Sequence, residues 1–487
     1  MLFVWVAGCS PVGPDYTPPD ISMDNDWHSP LKQGLTIEDD PETLSQWWST
    51  FDDPVLTDLI ERSVAGNLDL KKARSRVRQA RAHRRISSAS LFPSLDFSSA
   101  STWTRTGSDS GAESTTPPGF DNGAGTTSHL YSAGFDARWE KDIFGGIRRS
   151  IESSQASLEA RQQDLYHALV SLTAEVALNY VEIRTYQRRL VTVQENLIAQ
   201  TETHQLVLWQ SQANLSDDLA VKQARYNLES TRSQIPSLET GLAGAMNRIA
   251  VLLGEQPGIV NNELQANKLI PNVPATIAVG VPADVIRRRP DVRMAERELA
   301  AQTANIGVAT ADLYPKLRLV GSISVNSDSF SRLVNNLTSV NDWTSSYGPG
   351  ISWAIFDAGR IHQNIKVQTE LQAQALFHYK SVILGAVEEV ENSLTAFVNE
   401  HEKKTSLRKA VEAAEKAVEL SELKYEAGLV DFSSVLDAQR SLLSFENQLA
   451  ESHGAIAAHL IRLYKSLGGG WSPLLEKEQH NFIPSTQ

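Results

Sequence analysis

The sequence predicts an α+β chain folded from two copies of one unit, a pair of alternating strands followed by a long helical hairpin. Three observations carry that prediction. The first is duplication: Trp139, Glu175-Val176, Asp217, Arg248 and Leu253-Gly254 recur as Trp353, Glu389-Val390, Asp431, Arg462 and Leu467-Gly468, every pair at one offset (353 − 139 = 214). The second is a set of four short segments in which apolar and polar residues alternate, the period of a strand with two unlike faces. The third is a run of heptads after each second strand, the spacing that holds one helical stripe against a partner.

An upstream block repeats at a different offset, since Asp69, Ala73 and Phe92-Pro93 return as Asp291, Ala295 and Tyr314-Pro315 (291 − 69 = 222). The difference between the offsets falls between Pro93 and Trp139. That interval contains Arg105 to Ser128, a stretch rich in Gly, Ser, Thr and Pro that reads as a surface loop where added length is tolerated. With 487 residues and 53.6 kDa the chain is long enough for several domains, yet two similar halves argue for one pseudo-symmetric body with an internal two-fold repeat.

The strand segments are taken in order. Leu95, Phe97, Ser99, Ser101 and Trp103 alternate with Asp96, Ser98, Ala100 and Thr102; Tyr131, Ala133, Phe135, Ala137 and Trp139 alternate with Ser132, Gly134, Asp136, Arg138 and Glu140. The second repeat sets Leu317, Leu319, Gly321, Ile323 and Val325 against Lys316, Arg318, Val320, Ser322 and Ser324, and Tyr347, Pro349, Ile351 and Trp353 against Gly348, Gly350 and Ser352. About ten residues suffice to cross a bilayer when tilted. Two amphipathic hairpins on a soluble core fit the same pattern. If the strands do enter a bilayer, four per chain leave two open edges, which hydrocarbon does not tolerate, so the barrel must be shared between chains.

The helices follow. Leu165, Leu169, Leu172, Val176, Asn179, Ile183, Tyr186, Leu190, Val193 and Leu197 step by alternating four and three, and Tyr379, Ile383, Ala386, Val390, Ser393 and Phe397 repeat the register. The return segments step through Leu228, Ile235, Leu242 and Ile249, and through Leu442, Leu449, Ile456 and Leu463. From Ile147 to about Leu208 and from Ile361 to about Tyr425 nothing stops a helix, so each extends on the order of 90 Å. Pro236 is expected to kink the first return helix. At the hairpin turns Gly428 suits the left-handed conformation that ends a helix, and Asn214 is the next-best residue for it. Asp217 and Asp431 then supply side-chain oxygens to cap the returning helices. Val430 is expected either to staple to Val435 or, with Leu429, to be left available to a partner.

Composition excludes several function classes. A net charge of −13 disfavours nucleic acid as a partner. Arg287-Arg288-Arg289 does not reverse this, because Pro290-Asp291 opens the next helix and three arginines in an acidic chain make no binding surface. No run approaches the roughly 20 apolar residues of a membrane-spanning helix, so any span is made of strands. No histidine pair, nucleophile triad or phosphate-cradling glycine loop occurs, and the sequence offers no basis for an enzyme, a metal site or a cofactor.

The single cysteine, Cys9, follows the apolar stretch Met1 to Gly8. Val6-Ala7-Gly8-Cys9 resembles a bacterial lipobox, which makes Cys9 the expected site of a covalent lipid. No basic region precedes it, so the expected translation start lies upstream of Met1. Ser10 to Pro19 is too proline-rich to form regular structure and is expected to run as an extended strap.

Several motifs together resemble one family: Val12-Gly13-Pro14-Asp15-Tyr16, Gln234-Ile235-Pro236, the stretch VPADVIRRRPDVRMAERELAAQTANIGVATADLYP from Val281 to Pro315, Trp353 to Arg360, Val435-Leu436-Asp437-Ala438-Gln439, and Leu467 to Trp471. The chain resembles the TolC-type outer-membrane factors of bacterial tripartite efflux systems, in their lipoprotein (OprM/NodT-like) branch. The resemblance implies an α+β membrane protein: a homotrimer whose three sets of four strands close a 12-stranded outer-membrane β-barrel, continued by a long periplasmic α-helical barrel of coiled-coil hairpins with a mixed equatorial domain. The layout it implies is a signal remnant (1–8), a lipidated strap (9–41), equatorial and helical residues of the first repeat (42–92), a strand pair with its external loop (93–143), a helical hairpin (144–254), an equatorial linker (255–283), a helix (284–314), the second strand pair (315–356), the second hairpin (357–467) and an equatorial tail (468–487).

The resemblance also implies partners and a site. It implies a passive duct in the outer-membrane lipid, reached through a periplasmic adaptor (membrane fusion) protein and driven by an inner-membrane pump of the RND type. The adaptor grips the tips at Asn214, Leu215, Asp217, Gly428, Leu429, Val430 and Asp431. Asp437 matches an aspartate that rings the constricted periplasmic end, where three copies repel one another and attract cations. Some relatives carry a second aspartate where this chain has Ser434. Within the same architecture, an outlet for protein secretion or metal efflux is the alternative. A soluble coiled-coil scaffold is the alternative from another class, and it predicts tolerance of a charge at Phe135 or Leu319.

Overall fold

The computed structural model describes residues 11–20, 26–38, 40–106, 126–339 and 342–471. The lipid site at Cys9, most of the Arg105–Ser128 loop and the tail beyond Trp471 lie outside the described residues. In chain order the elements are β1 (Leu35–Thr36), α1 (Pro41–Ser45), a 3-10 turn (Trp47–Phe51), α2 (Pro54–Gly66), α3 (Leu68–Ala89), β2 (Ser94–Thr106), β3 (Thr126–Lys141), α4 (Gly146–Gln212), α5 (Asp218–Arg232), α6 (Gln234–Leu253), α7 (Asn261–Leu264), β4 (Ile277–Ala278), α8 (Pro282–Arg288), α9 (Pro290–Ala311), β5 (Lys316–Ser327), α10 (Phe330–Asn336), β6 (Trp343–Ser352), α11 (Arg360–Glu426) and α12 (Phe432–Ser466). The duplication is visible in these bounds. Helices α3 and α9 have 22 residues each, and α4 and α11 have 67 each.

The described residues fall into two compact units, the first within Met1–Pro18, Gln79–Leu158 and Arg297–Leu376. Its centre is an antiparallel sheet in the order β2-β3-β5-β6. The register sorts the alternating residues into two faces. Phe97, Phe135 and Ile323 lie in one row, and Trp139, Leu319 and Pro349 in another row of the same face. The opposite face carries the row Asp96, Asp136 and Ser322, with Arg318 donating to Glu140 at 3.0 Å. Much of the apolar face is exposed in the single chain, with Leu95, Phe97, Tyr347 and Ile351 between 64% and 88% accessible. Trp139 donates its indole N–H to the Leu91 carbonyl at 2.8 Å, and Trp353 repeats this to Leu313 at 2.9 Å. Trp353 itself falls just past the end of β6, one residue outside the strand that the alternation included.

Helix α10 has no counterpart in the sequence reading. Its seven residues are too few to show a helical period, yet Leu333 is buried against Ala133 and Val325 on the sheet's apolar face. Both long helices begin alike. A left-handed glycine, Gly145 or Gly359, turns the chain (φ 81° and 84°), and an aspartate caps the first turn. Asp142 accepts from the Ile147 and Arg148 amides, and Asp357 from those of Gly359 and Ile361. The Ile361 amide, followed by that of Gly359, holds the Asp357 carboxyl below its usual range despite its exposure.

Residues 11–20 form no helix or strand, and they are docked all the same. The buried Arg149 guanidinium donates to the carbonyls of Val12 (3.0 Å) and Gly13 (3.3 Å) and to the Asp15 carboxylate (2.7 Å). Tyr16 packs on Ala156, Ala300 and Ala301. A side chain at Gly13 would come within 2.4 Å of the Gly307 Cα, and its φ of 92° already requires glycine.

The second unit lies within Pro19–Arg78, Glu159–Glu296 and Phe377–Gln487. The heptad positions predicted for the outgoing helices turn inward: Leu169, Val176, Ile183, Val193, Val390 and Phe397 are each 0 to 1% exposed. The polar pair in that register behaves identically in both repeats, Asn179 donating to the Glu175 carbonyl and Ser393 to that of Glu389, both at 2.7 Å. Trp47 is fully buried and stacks on Tyr464 at 5.6 Å. The two-residue strands β1 and β4 pair in parallel, Leu35 with Ile277. Arg289 is buried and donates to Asp291 (2.7 Å), Glu389 (2.8 Å) and the Ser466 carbonyl (2.6 Å). One member of the arginine triplet is thus a structural ion pair.

Pro236 marks a local irregularity in the first return helix, as expected: regular helix ends at Arg232 and resumes at Gln234, with Ser233 between them still right-handed (φ −65°, ψ −15°) and bonded to the Glu229 carbonyl, whereas α12 runs unbroken for 35 residues. The cause is local: the proline ring clashes with the carbonyl four residues back, which is that of Arg232.

Candidate functional site

The candidate site in the second unit is the pair of hairpin turns with the packed layer beside them. At the first turn Asn214 is left-handed (φ 56°), its amide bonding to the Ser211 carbonyl and that of Leu215 to Gln210 at 2.8 Å. The second turn has the same geometry, with Gly428 at φ 70° and the Leu429 amide bonded to Lys424 at 2.8 Å. Both are Schellman endings, which satisfy helix carbonyls that no longer have a partner within the helix. Leu215 and Leu429 are left 79% and 73% exposed, and Val430 is half-buried.

The two caps differ. Asp217 accepts from the Ala220 amide at 2.9 Å, as expected. Asp431 makes no such bond, and the prediction of a side-chain cap there is corrected: its backbone carbonyl accepts from the Ser434 amide, and its carboxylate stays exposed. Main-chain closure already satisfies that turn, so the carboxylate is free.

Beside the turns Val207, Ala220, Val221 and Ala224 of the first hairpin pack against Phe432, Val435 and Leu436 of the second. Tyr425 closes this layer by donating to Gln210 at 3.0 Å. The structure therefore brings both predicted tips together on one apolar cluster. Asp437 follows the buried Leu436 yet is 70% exposed in its side chain, two positions past Val435, which lies seven residues before Leu442 on the heptad stripe. Arg440, one turn on, approaches it at 3.4 Å and also reaches the hydroxyl of Tyr226 at 3.1 Å. Sequence reasoning missed Arg440, although its spacing from Asp437 was a readable signal. Both groups are at least half exposed, so the pair is screened and weak. Two further polar groups, Gln439 and Thr203, join across the same layer at 3.1 Å.

Among the described residues, no group of three or more His, Cys, Asp or Glu side chains is placed to hold a metal ion. No helix among them is long and apolar enough to cross a membrane.

A family model described as outer membrane efflux protein matches residues 59–255 and 281–469, the two repeats. The chain belongs to that family. It is 33% identical to nodulation protein T of Rhizobium leguminosarum bv. trifolii, over 96% of each chain. It is 29% identical to the cation efflux system protein CusC of Escherichia coli (strain K12), over 96% of this chain and 97% of that one. Among solved structures, the outer-membrane channel OprN superimposes with a TM-score of 0.85 at 34% identity, over 95% of this chain and all of that one. As an outer membrane efflux protein the chain acts in the outer membrane, and the soluble-scaffold alternative falls.

Proposed function

We propose that this chain is the passive duct of a tripartite efflux system, assembled as a homotrimer whose twelve strands close one outer-membrane barrel. The observation that carries the reading is the four-stranded sheet. It has one apolar and one polar face, and its outer strands β2 and β6 have no further neighbour among the described residues. In lipid such edges must be paired, and two more copies supply the partners. The apolar residues of β3 run from Tyr131 to Trp139, about 27 Å along the strand, which a tilt of about 45° reduces to about 19 Å, most of the height of the apolar band of an outer-membrane barrel. Trp103 near one end, and Trp139 near the other, fit the aromatic girdles of such barrels.

In this reading Cys9 carries the lipid that tethers the strap. The adaptor engages the tips through exposed Leu215 and Leu429, and Asp437 from three copies rings the closed end. The inner-membrane pump supplies the energy and decides the cargo. Small organic molecules are the favoured cargo because the lipobox and the Val281–Pro315 stretch resemble the drug-exporting branch. Cations are the second reading, supported by the likeness to CusC. Native mass spectrometry of the species extracted from outer membranes in mild detergent tests the assembly: a lipid-modified trimer is expected, and an unmodified monomer refutes the shared barrel.

A further inference from the structure

A cavity of about 450 Å³ opens in the second unit between the turn Ile270–Ala275 and the helices α11 and α12. Two side chains one turn apart on α11, His401 and Lys404, line it from one helix, and His453 lines it from the other. The facing wall is uncharged, made by Ile270–Ala275 and Gln33–Gly34. That wall is fixed. Gly34 adopts φ 86°, and a side chain on it would meet the Ala275 carbonyl oxygen at 2.0 Å. No carboxylate lines the cavity; of the two acids that flank His401 in sequence, Glu400 lies 3.1 Å from Lys403 and Glu402 is exposed. His401 Nε2 is buried without a hydrogen-bond partner.

In a chain of net charge −13, a recess lined by one ammonium and two imidazoles and by no acid is an exception to the local balance. We propose that it is a binding site for a small oxyanion of the phosphate, sulfate or carboxylate type. Lys404 supplies the fixed charge, His401 Nε2 the unused donor, and His453 a second donor at the mouth. A volume of this size holds such an ion together with several waters of about 30 Å³ each.

The charges around the cavity give the site a pH dependence. Burial first, then repulsion from Lys404, pushes His401 down, with Glu400 opposing; burial, Lys404 and then Arg188 push His453 down. Burial and Arg408 lower Lys404 as well, and the 270–275 turn contributes no titratable group. Both imidazoles therefore take up their second ring proton less readily than a free histidine, and a bound anion favours that uptake. Anion binding takes up protons, so affinity rises as pH falls.

The test is calorimetric titration of the purified full-length protein in detergent with inorganic sulfate, whose charge is constant over the range, at matched ionic strength and at pH 7.5 and 5.5. Saturable binding that tightens about tenfold at the lower pH is expected. Lys404→Met is expected to weaken it by about tenfold or more, and His401→Asn to flatten the pH dependence while the helical circular dichroism is unchanged. Absence of saturable binding at pH 5.5, or a folded Lys404→Met protein that binds as tightly as the parent, overturns the site.

Discussion

Replacing Phe135 with lysine tests the membrane reading at the residue where the two faces of the sheet differ most in consequence. Phe135 is in the middle row of the apolar face, paired with Phe97 (ring centroids 5.3 Å apart) and opposite Ile323, midway between Tyr131 and Trp139 along the strand. If that face meets lipid, an ammonium there sits near the midplane and costs about 2–4 kcal/mol per chain. At 1.36 kcal/mol per tenfold, this lowers the ratio of inserted to uninserted chains by roughly 30-fold to about 1000-fold. Lysine at the adjacent Asp136, which points to the polar face, changes neither hydrocarbon contact nor register and is expected to leave insertion intact. The assay is folding of the purified chain into lipid vesicles over a urea series, read by heat-resistant oligomer on a gel. Equal midpoints for the two variants would refute the assignment of faces, and with it the barrel.

Further outcomes follow from the other sites. Arg289→Met removes a guanidinium whose side chain is 7% exposed and leaves Asp291 uncompensated; because Glu389 is 43% exposed and regains water, the expected loss is at the low end for a buried pair, about 3 kcal/mol by denaturant melt. Burial raises the Asp291 pKa and the Arg289 guanidinium lowers it further, for a net value below the usual 3.8, so the pair's stability is whole at neutral pH and is lost only as the solution is acidified below about pH 4 and through that lower value. Asp217→Ala is expected to loosen the first turn by about 1 kcal/mol, seen as faster amide exchange at Ala220, while Asp431→Ala leaves its turn unaffected. Leu215→Asp with Leu429→Asp is expected to abolish adaptor capture without moving the melting temperature, since neither side chain is buried. Asp437→Ala is expected to raise single-channel conductance in a planar bilayer and antibiotic uptake by cells; no change in either removes Asp437 from the gate.

What could be read in advance was whatever repeats or alternates. The heptads located the buried stripe because burial along a long helix obeys one period, and the 214-residue offset located the paired turns because Asn214 and Gly428, the two residue types that best tolerate the left-handed conformation, produced the same ending. Features made by one-off contacts were not legible. The docking of Val12 to Tyr16 depends on Arg149 reaching across from α4, which nothing in the strap's own composition announces. Helix α10 depends on one residue, Leu333, finding the sheet. Asp431 shows the opposite failure: the cap motif was present, but a main-chain bond made it unnecessary.

The same comparison shows why the duplicated hairpins are not mechanically equivalent. Their outgoing helices are equal in length and end by the same main-chain bonds, so neither feature distinguishes them. Their return helices do differ, because Pro236 interrupts the backbone ladder after Arg232 in one and nothing interrupts α12 in the other. A helix bends where a hydrogen bond is missing. Displacement of the joined tips, whose apolar layer ties Val221 and Ala224 to Val435 and Leu436, is therefore absorbed around Ser233 in the first hairpin, while the second moves as a stiff rod. Asp437 and its contact Arg440 ride on the stiff member, and Tyr226, the hydroxyl that Arg440 also reaches, rides on α5 between the joined layer and the break. Bending at Ser233 then preserves the Arg440–Tyr226 contact and carries α5 with the tip, so a motion that keeps the tip layer intact is expected to displace Asp437 together with α5 and α12 without breaking either helix.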